Sequence, residues 1–269
     1  MRVARRAAAV AAAYWRLGIA EAVAYRASML VWILTTTFPL VSLALWSGIA
    51  ASGGPIGGFG EAEFVAYFVA AFLVRQLTAS WVVWDLERSI RLGNLSVLLV
   101  RPVHPLFHHV MLNLAALPVR LALALPLAIA VLIGAGGLEI AAQGGAVALL
   151  PLALVGAWLL NFAVQAAVGC LAFWTDRSSS IYEIWAGLFM VLSGYAVPTS
   201  LFPPWLAEVA RALPFHAILG FPTELLTGRL SAGEALSFLG IQWLWAAAAG
   251  LGAALLWRRG VRVYGAFGA

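Results

Sequence analysis

WDLERSIRLGNLSVLLVRPVHPLFHH, residues 84–109, is the stretch whose reading decides the fold. It is the only extended polar interruption between two long apolar segments that can lie on the arginine-rich side of a membrane. The segment before it runs from about Phe64 to Trp84, and the one after it from about Val110 to Ile133. Apolar windows of about 18 residues or more are long enough to cross a bilayer as helix.

Composition extends that reading to the whole chain. Of its 269 residues, 64% are hydrophobic and only 10% are charged, with a mean hydropathy of +0.97. A soluble domain carries about 25% charged residues. The expectation is an all-α polytopic membrane protein forming a single domain over residues 1–269.

All 16 basic residues are arginine. Without lysine the chain holds no P-loop, because that motif needs a lysine on the β- and γ-phosphates. A Schiff-base lysine is excluded as well. The single cysteine, Cys170, lies in an apolar run and reads as a buried thiol. The net charge of +5 does not point to nucleic acid, because the arginines gather at membrane-flanking positions.

Six spans are predicted. The first covers Ser28 to Ala51 and closes on the turn SGGPIGGFG; the second and third flank residues 85–109. Pro118 and Pro126 lie inside the third, where neighbouring helices can re-satisfy freed carbonyls. The fourth covers Gly145 to Trp174. A capping box at Ser180 and Glu183 predicts the start of the fifth, Ile181 to Val197, and a second box at Ser231 and Glu234 the start of the sixth, Leu236 to Trp257. Residues 1–27 place Arg2, Arg5, Arg6 and Arg16 on one helical face opposite Val3, Val10, Tyr14, Trp15 and Tyr25. That pattern predicts a helix lying in the membrane interface. Residues 198–230 are too rich in proline and polar groups to span, and predict two short amphipathic helices.

Charge orients the spans. With both termini inside, Arg211 and Arg229 fall outside, Arg75 and Arg120 lie within spans, and every other arginine is cytoplasmic. The positive-inside rule selects that orientation. Residues 85–109 are then cytoplasmic and residues 198–230 external.

The arrangement resembles the type-two permeases of ATP-binding-cassette exporters, in a bacterial subfamily of about this length. The text that carries the resemblance is GNLSVLLVRPVHPLF at 93–107 and LPFHAILGFPTELLTGRL at 213–230, together with the order of spans. The resemblance implies a permease half in a bacterial inner membrane, driven by two copies of a separate ATPase that binds the ATP and Mg. It also implies pairing with a second permease, identical or not, and outward movement of drug-like or lipid-like amphiphiles by alternating access, as in multidrug efflux. No cofactor on this chain itself is implied.

In residues 85–109, Asp85, Glu87, Arg88 and Arg91 flank a short apolar helix ended by Arg101-Pro102, since proline cannot continue a helix. Leu95, Val97, Leu98 and Leu99 would fill a groove on the ATPase while the charges set register; the alternative is a loop helix buried against lipid. Arg75 and Arg120 fall near the bilayer midplane, where arginine is costly and faces protein or water. They bond carbonyls, line the translocation path and meet an anion, or meet a second permease. Tyr195, Pro198, Phe202, Trp205 and Phe221 would rim an external gate near Glu224 and Arg229. Asp176 and Arg177 end a helix or make a second ATPase contact.

Other classes fit less well. His104, His108 and His109 have helical metal-ligand spacing but no cysteine or carboxylate to complete a site, so no metal is expected. HExxH and G-x-S-x-G are absent, leaving only a Ser193–His216 pair open to enzyme chemistry. A secondary transporter would need matched broken helices or intramembrane carboxylates, and neither is visible in the sequence.

Overall fold

The computed structural model describes residues 36–134 and 145–264, with positions 12, 13, 15, 16, 18–20 and 24 of a helix before them. Most of the interfacial helix expected over residues 1–27, and residues 28–35 of the expected first span, lie outside the described residues. Of the N-terminal positions that are described, buried Gly18 packs so tightly on Leu112 and Ala115 that a Cβ would collide.

Among the described residues the chain is all-α, apart from one isolated bridge between Ile56 and Phe59. In order, the helices are α1 (Phe38–Gly53), α2 (Glu61–Thr78), α3 (Val82–Arg91), α4 (Leu95–Leu99), α5 (Pro105–Ala115), α6 (Leu117–Gly134), α7 (Leu150–Cys170), α8 (Ser178–Leu192), α9 (Pro204–Ala212), α10 (Pro214–Ile218), α11 (Gly220–Leu226) and α12 (Ala232–Tyr264). Among the described residues, four stretches are long and apolar enough to cross a membrane: Glu61–Arg91, Pro105–Gly134, Ala146–Phe173 and Ala232–Tyr264. Phe38–Gly53 and Ser178–Leu192 are shorter apolar helices. The chain is a multi-span membrane protein.

Two of the long stretches are interrupted. Pro118 has no N–H to donate and crowds the preceding turn, and the helix divides at Ala116 into α5 and α6. Pro126 is accommodated inside α6. The second interruption has no proline: Ala79 is extended (φ −61°, ψ 140°), which separates α2 from α3.

α7 is the element that the others surround. It packs along α12, α3, α2, α8, α10 and α11. Its contact with α12 is close at Gly156, where the amide of buried Gln242 lies over the glycine. The Gln242 amide N–H group donates to Ala153 O at 3.0 Å and Ala217 O at 2.7 Å, tying α12 to α7 and α10.

At one end of the bundle, Leu86, Ile90, Leu95, Cys170, Phe173 and Trp257 form a cluster, with Tyr264 packed against it. α12 is 33 residues long, about 50 Å at 1.5 Å per residue. That exceeds the ~30 Å hydrocarbon layer, so one end must project beyond it. α4 and the Arg258-Arg259-Arg262 end of α12 share this end of the bundle, where the Ser96 and Tyr264 hydroxyls are 3.2 Å apart.

The opposite end holds the turn after α1. Gly57 and Gly58 both have positive φ, as a tight two-residue hairpin turn requires. Phe59 is fully buried there, stacks on Phe64 at 5.0 Å and lies under the Arg229 guanidinium. The second capping box is present: Ser231 N–H donates to Glu234 Oε2 at 2.9 Å, and Glu234 N–H donates to the Ser231 hydroxyl at 3.3 Å.

The first capping box is not. α8 begins at Ser178 rather than Ile181 and has no cap from its own N-cap residue, Arg177. The Glu87 carboxylate of α3 caps it instead, accepting from Ser179 N–H at 2.6 Å and the Ser178 hydroxyl at 3.0 Å. α8 also stops at Leu192, short of Val197. Gly194 adopts φ +88° against the Tyr67 hydroxyl, a geometry that any Cβ would strain. The segment 198–230 contains three short helices where two were expected, because Leu219 (φ −126°, ψ −57°) separates α10 from α11. Residues 214–225 are buried throughout.

Candidate functional site

The break between α2 and α3 exposes backbone carbonyls that a continuous helix would occupy, and two polar side chains from other helices meet them. Arg120 of α6 is the largest fully buried side chain. It donates from Nη1 to Gln76 O at 3.2 Å and to Ala79 O at 3.0 Å, and from Nη2 to Asn113 O at 2.8 Å. Its guanidinium also lies 4.7 Å from the Trp81 ring centroid. From α7, Asn161 donates to Thr78 O at 2.8 Å. Thr78 itself donates back to Val74 O at 2.9 Å, a local bond that competes with helix propagation.

The polar contacts continue outward from the break. Gln165, one turn along α7 from Asn161, donates to the Tyr182 hydroxyl of α8 at 3.1 Å. The Gln76 amide donates to the Thr36 hydroxyl at 2.7 Å, and the Tyr195 hydroxyl donates to Thr36 O at 3.2 Å. Between these groups is a cleft of about 240 Å³ whose lining includes Thr36, Arg75, Trp81, Trp84, Tyr182, Glu183, Phe189, Met190 and Tyr195. Arg75 sits in it half-buried, with its guanidinium 5.3 Å from the Phe189 ring centroid and beside the Tyr182 and Tyr195 hydroxyls. Trp84 meets Tyr182 edge-on at 5.2 Å. Arg75 and Arg120, alike in the sequence, thus sit differently: one opens onto a cleft and the other is closed on carbonyls.

The polar stretch 85–109 divides by orientation. Leu95 is fully buried in the chain's own end cluster, and Leu98 packs partly against it. The outward surface is carried by Leu92, Val97, Leu99 and Val100, which are 67%, 56%, 38% and 84% exposed. Arg88, Arg91 and Arg101 are exposed around them. Glu87 faces inward to α8, with Arg91 3.7 Å from its other oxygen. Asp85 is half-buried. His104 caps α5 by accepting from Leu106 N–H through Nδ1 at 3.2 Å.

The residues expected to rim a gate do not gather. Tyr195 belongs to the cleft and stacks on Phe38 at 5.5 Å. Phe221 is fully buried in a separate cluster with Ala153, Leu225 and Ala235. Trp205 is 68% exposed, and Phe202 is half-buried. Glu224, beside the expected gate, is buried: His216 Nε2 lies 3.3 Å from its Oε2, and the Thr199 hydroxyl donates to its Oε1 at 2.9 Å. Burial alone would push the Glu224 carboxyl up, but His216, Arg211 and the Thr199 bond together hold it below its ordinary value.

The sequence singles out Arg75 and Arg120, and Glu183 only as a capping partner, but not Asn161, Gln165, Trp81 or Tyr182. A signal existed for the two amides: an i, i+4 pair of them in an otherwise apolar span marks a buried polar contact. The others carry no mark of their own, since aromatic residues near a span end read as interfacial anchors.

A broken apolar helix, a buried polar network and an arginine-bearing cleft between spans are features that a membrane transport protein uses. The chain matches the family described as ABC-2 family transporter protein over residues 36–268 and belongs to it. No curated protein matches the chain. Its family makes it an ABC-transporter permease, and not an enzyme in its own right. Among the described residues no cluster of three or more His, Cys, Asp or Glu is placed to hold a metal.

Proposed function

We propose that this chain is the membrane half of an ATP-driven exporter, seated as six spans in a bacterial inner membrane with both termini cytoplasmic. Two copies of a separate ATPase supply ATP and Mg chemistry, and a second permease, identical or not, completes the pathway. The cargo is an amphiphile, drug-like or lipid-like, moved outward by alternating access. The observation that carries the reading is the surface of α4. Val97 and Leu99 of α4 and the flanking Leu92 and Val100 stand exposed about Leu95, which is locked into the bundle, with arginines around them. An apolar centre with a charged rim is what a docked partner buries.

The mechanical route is equally specific. Force on α4 passes to α3 through their shared cluster, and Glu87 ties α3 to the first turn of α8. α3 and α8 both line the Arg75 cleft through Trp84 and Tyr182. Closing the ATPase pair would therefore tilt α3 and α8 together and change access to the cleft. Residues 198–230 form the external element.

The test is Val100→Asp in the assembled complex with its ATPase. The side chain is exposed, so the fold should survive, while a carboxylate that docking must strip of water costs about 1–3 kcal/mol. Substrate-stimulated ATP hydrolysis should fall by at least about tenfold with the permease still monodisperse. Unchanged stimulation would remove α4 as the docking element, and transport by the chain alone on an ion gradient would remove the ATPase.

A further inference from the structure

The cleft beside the helix break holds an arginine that no described carboxylate pairs with. The ion pairs among the described residues are Glu87–Arg91 and His216–Glu224, so no described carboxylate comes within 4.0 Å of Arg75. Its neighbours are a phenyl ring and two phenols, which orient a guanidinium but do not cancel it. Arg120 is near enough to add repulsion. A cation inside a membrane protein is costly without an anion or water to face it.

The two phenols are not equivalent. The Tyr195 O–H already donates to Thr36 O. Tyr182 accepts from Gln165 and keeps its O–H to donate. Arg75 and Tyr182 together thus offer donors to one acidic group, which arginine can bind through two parallel N–H bonds. Phe189 and Met190 supply an apolar wall beside them. At about 240 Å³ the cleft is smaller than the ~300–1,000 Å³ that enclose a whole small molecule. It has room for a headgroup and the first carbons, and the remainder of a ligand would leave along α8 past Met190, which lines the cleft and is 42% exposed. Glu183 lines the same cleft and is itself exposed, so it repels a second negative charge.

We infer that this cleft binds an amphiphile with a singly charged acidic headgroup, the acid on Arg75 and Tyr182 and the chain along Phe189 and α8. As a statement about cargo this rests on the export reading above; as a statement about binding it does not, and its test needs no ATPase. The purified full chain in maltoside micelles is titrated with fluorescently labelled phosphatidylglycerol, and with phosphatidylcholine carrying the same label.

Phosphatidylglycerol should bind about tenfold tighter, the worth of one charge-assisted contact. Arg75→Ala should erase the difference and Arg75→Lys should keep part of it. Glu183→Gln should improve binding of phosphatidic acid, doubly charged at alkaline pH, more than that of phosphatidylglycerol. Equal binding of the two labelled lipids to the wild-type chain, or an unchanged preference in Arg75→Ala, would overturn the inference. So would displacement of the lipid by millimolar inorganic phosphate, which would make the ligand a free anion. If ATPase association fails while this preference holds, the export reading falls and the site remains.

Discussion

Arg75 and Arg120 are the residues where a linear reading and the folded chain part most sharply. Both are lone arginines in apolar spans, and nothing in their local text separates them. In the structure Arg120 serves carbonyls from two interruptions at once, Gln76 and Ala79 at the α2–α3 break and Asn113 beside the α5–α6 junction. Truncating it would leave buried carbonyls without donors, at about 1–3 kcal/mol for each group left unpaired. Arg120→Ala should therefore lower the thermal unfolding midpoint of the detergent-solubilised chain by several degrees, read by intrinsic tryptophan fluorescence. Arg120→Lys should rescue little, since a single ammonium cannot span three carbonyls held by a planar fork. Arg75→Ala should shift the midpoint far less. Equal shifts for the two alanine variants would mean that the difference in their surroundings has no energetic weight.

At the scale of elements, the junction of α3 with α8 matters most. Glu87 is a helix cap supplied from ninety residues away in the sequence, and its negative charge sits where the α8 N-terminus is electropositive. Loss of a capping side chain costs about 0.5–2 kcal/mol. Glu87→Ala should accelerate amide hydrogen exchange over residues 178–181 while leaving α12 protected, and should weaken the coupling of ATP hydrolysis to export. Exchange rates unchanged at Ser179 would show that α8 does not depend on this contact. The Ser180–Glu183 spacing does not start α8, because Ser180 lies inside the helix rather than at its cap. The Ser231–Glu234 box, by contrast, operates as its spacing predicts, because both partners lie within one turn and no other element intervenes.

For the molecule as a whole, α4 and the arginine-bearing end of α12 lie together, and the turn at Gly57 and Gly58 lies with Arg229 and the start of α12 at the other end. Single cysteines placed by Val100→Cys and Trp205→Cys, in a chain whose buried Cys170 is replaced by alanine, should report opposite faces in intact cells. The first should be protected from a membrane-impermeant maleimide and the second labelled; the reverse result would invert the topology. Composition and periodicity alone made this an all-α membrane chain, because in a bilayer the backbone must satisfy itself within helices, and the absence of lysine by itself ruled out a P-loop. Only the tertiary structure decided where the second span breaks, which arginine faces a cleft, and that Leu95 points inward while Val100 does not. Ala79 and Ser80 carry no proline or glycine to announce an interruption. The break is stabilised by donors from Arg120 and Asn161, which reach Ala79 and Thr78 from 41 and 83 positions along the chain, a distance that local sequence cannot register.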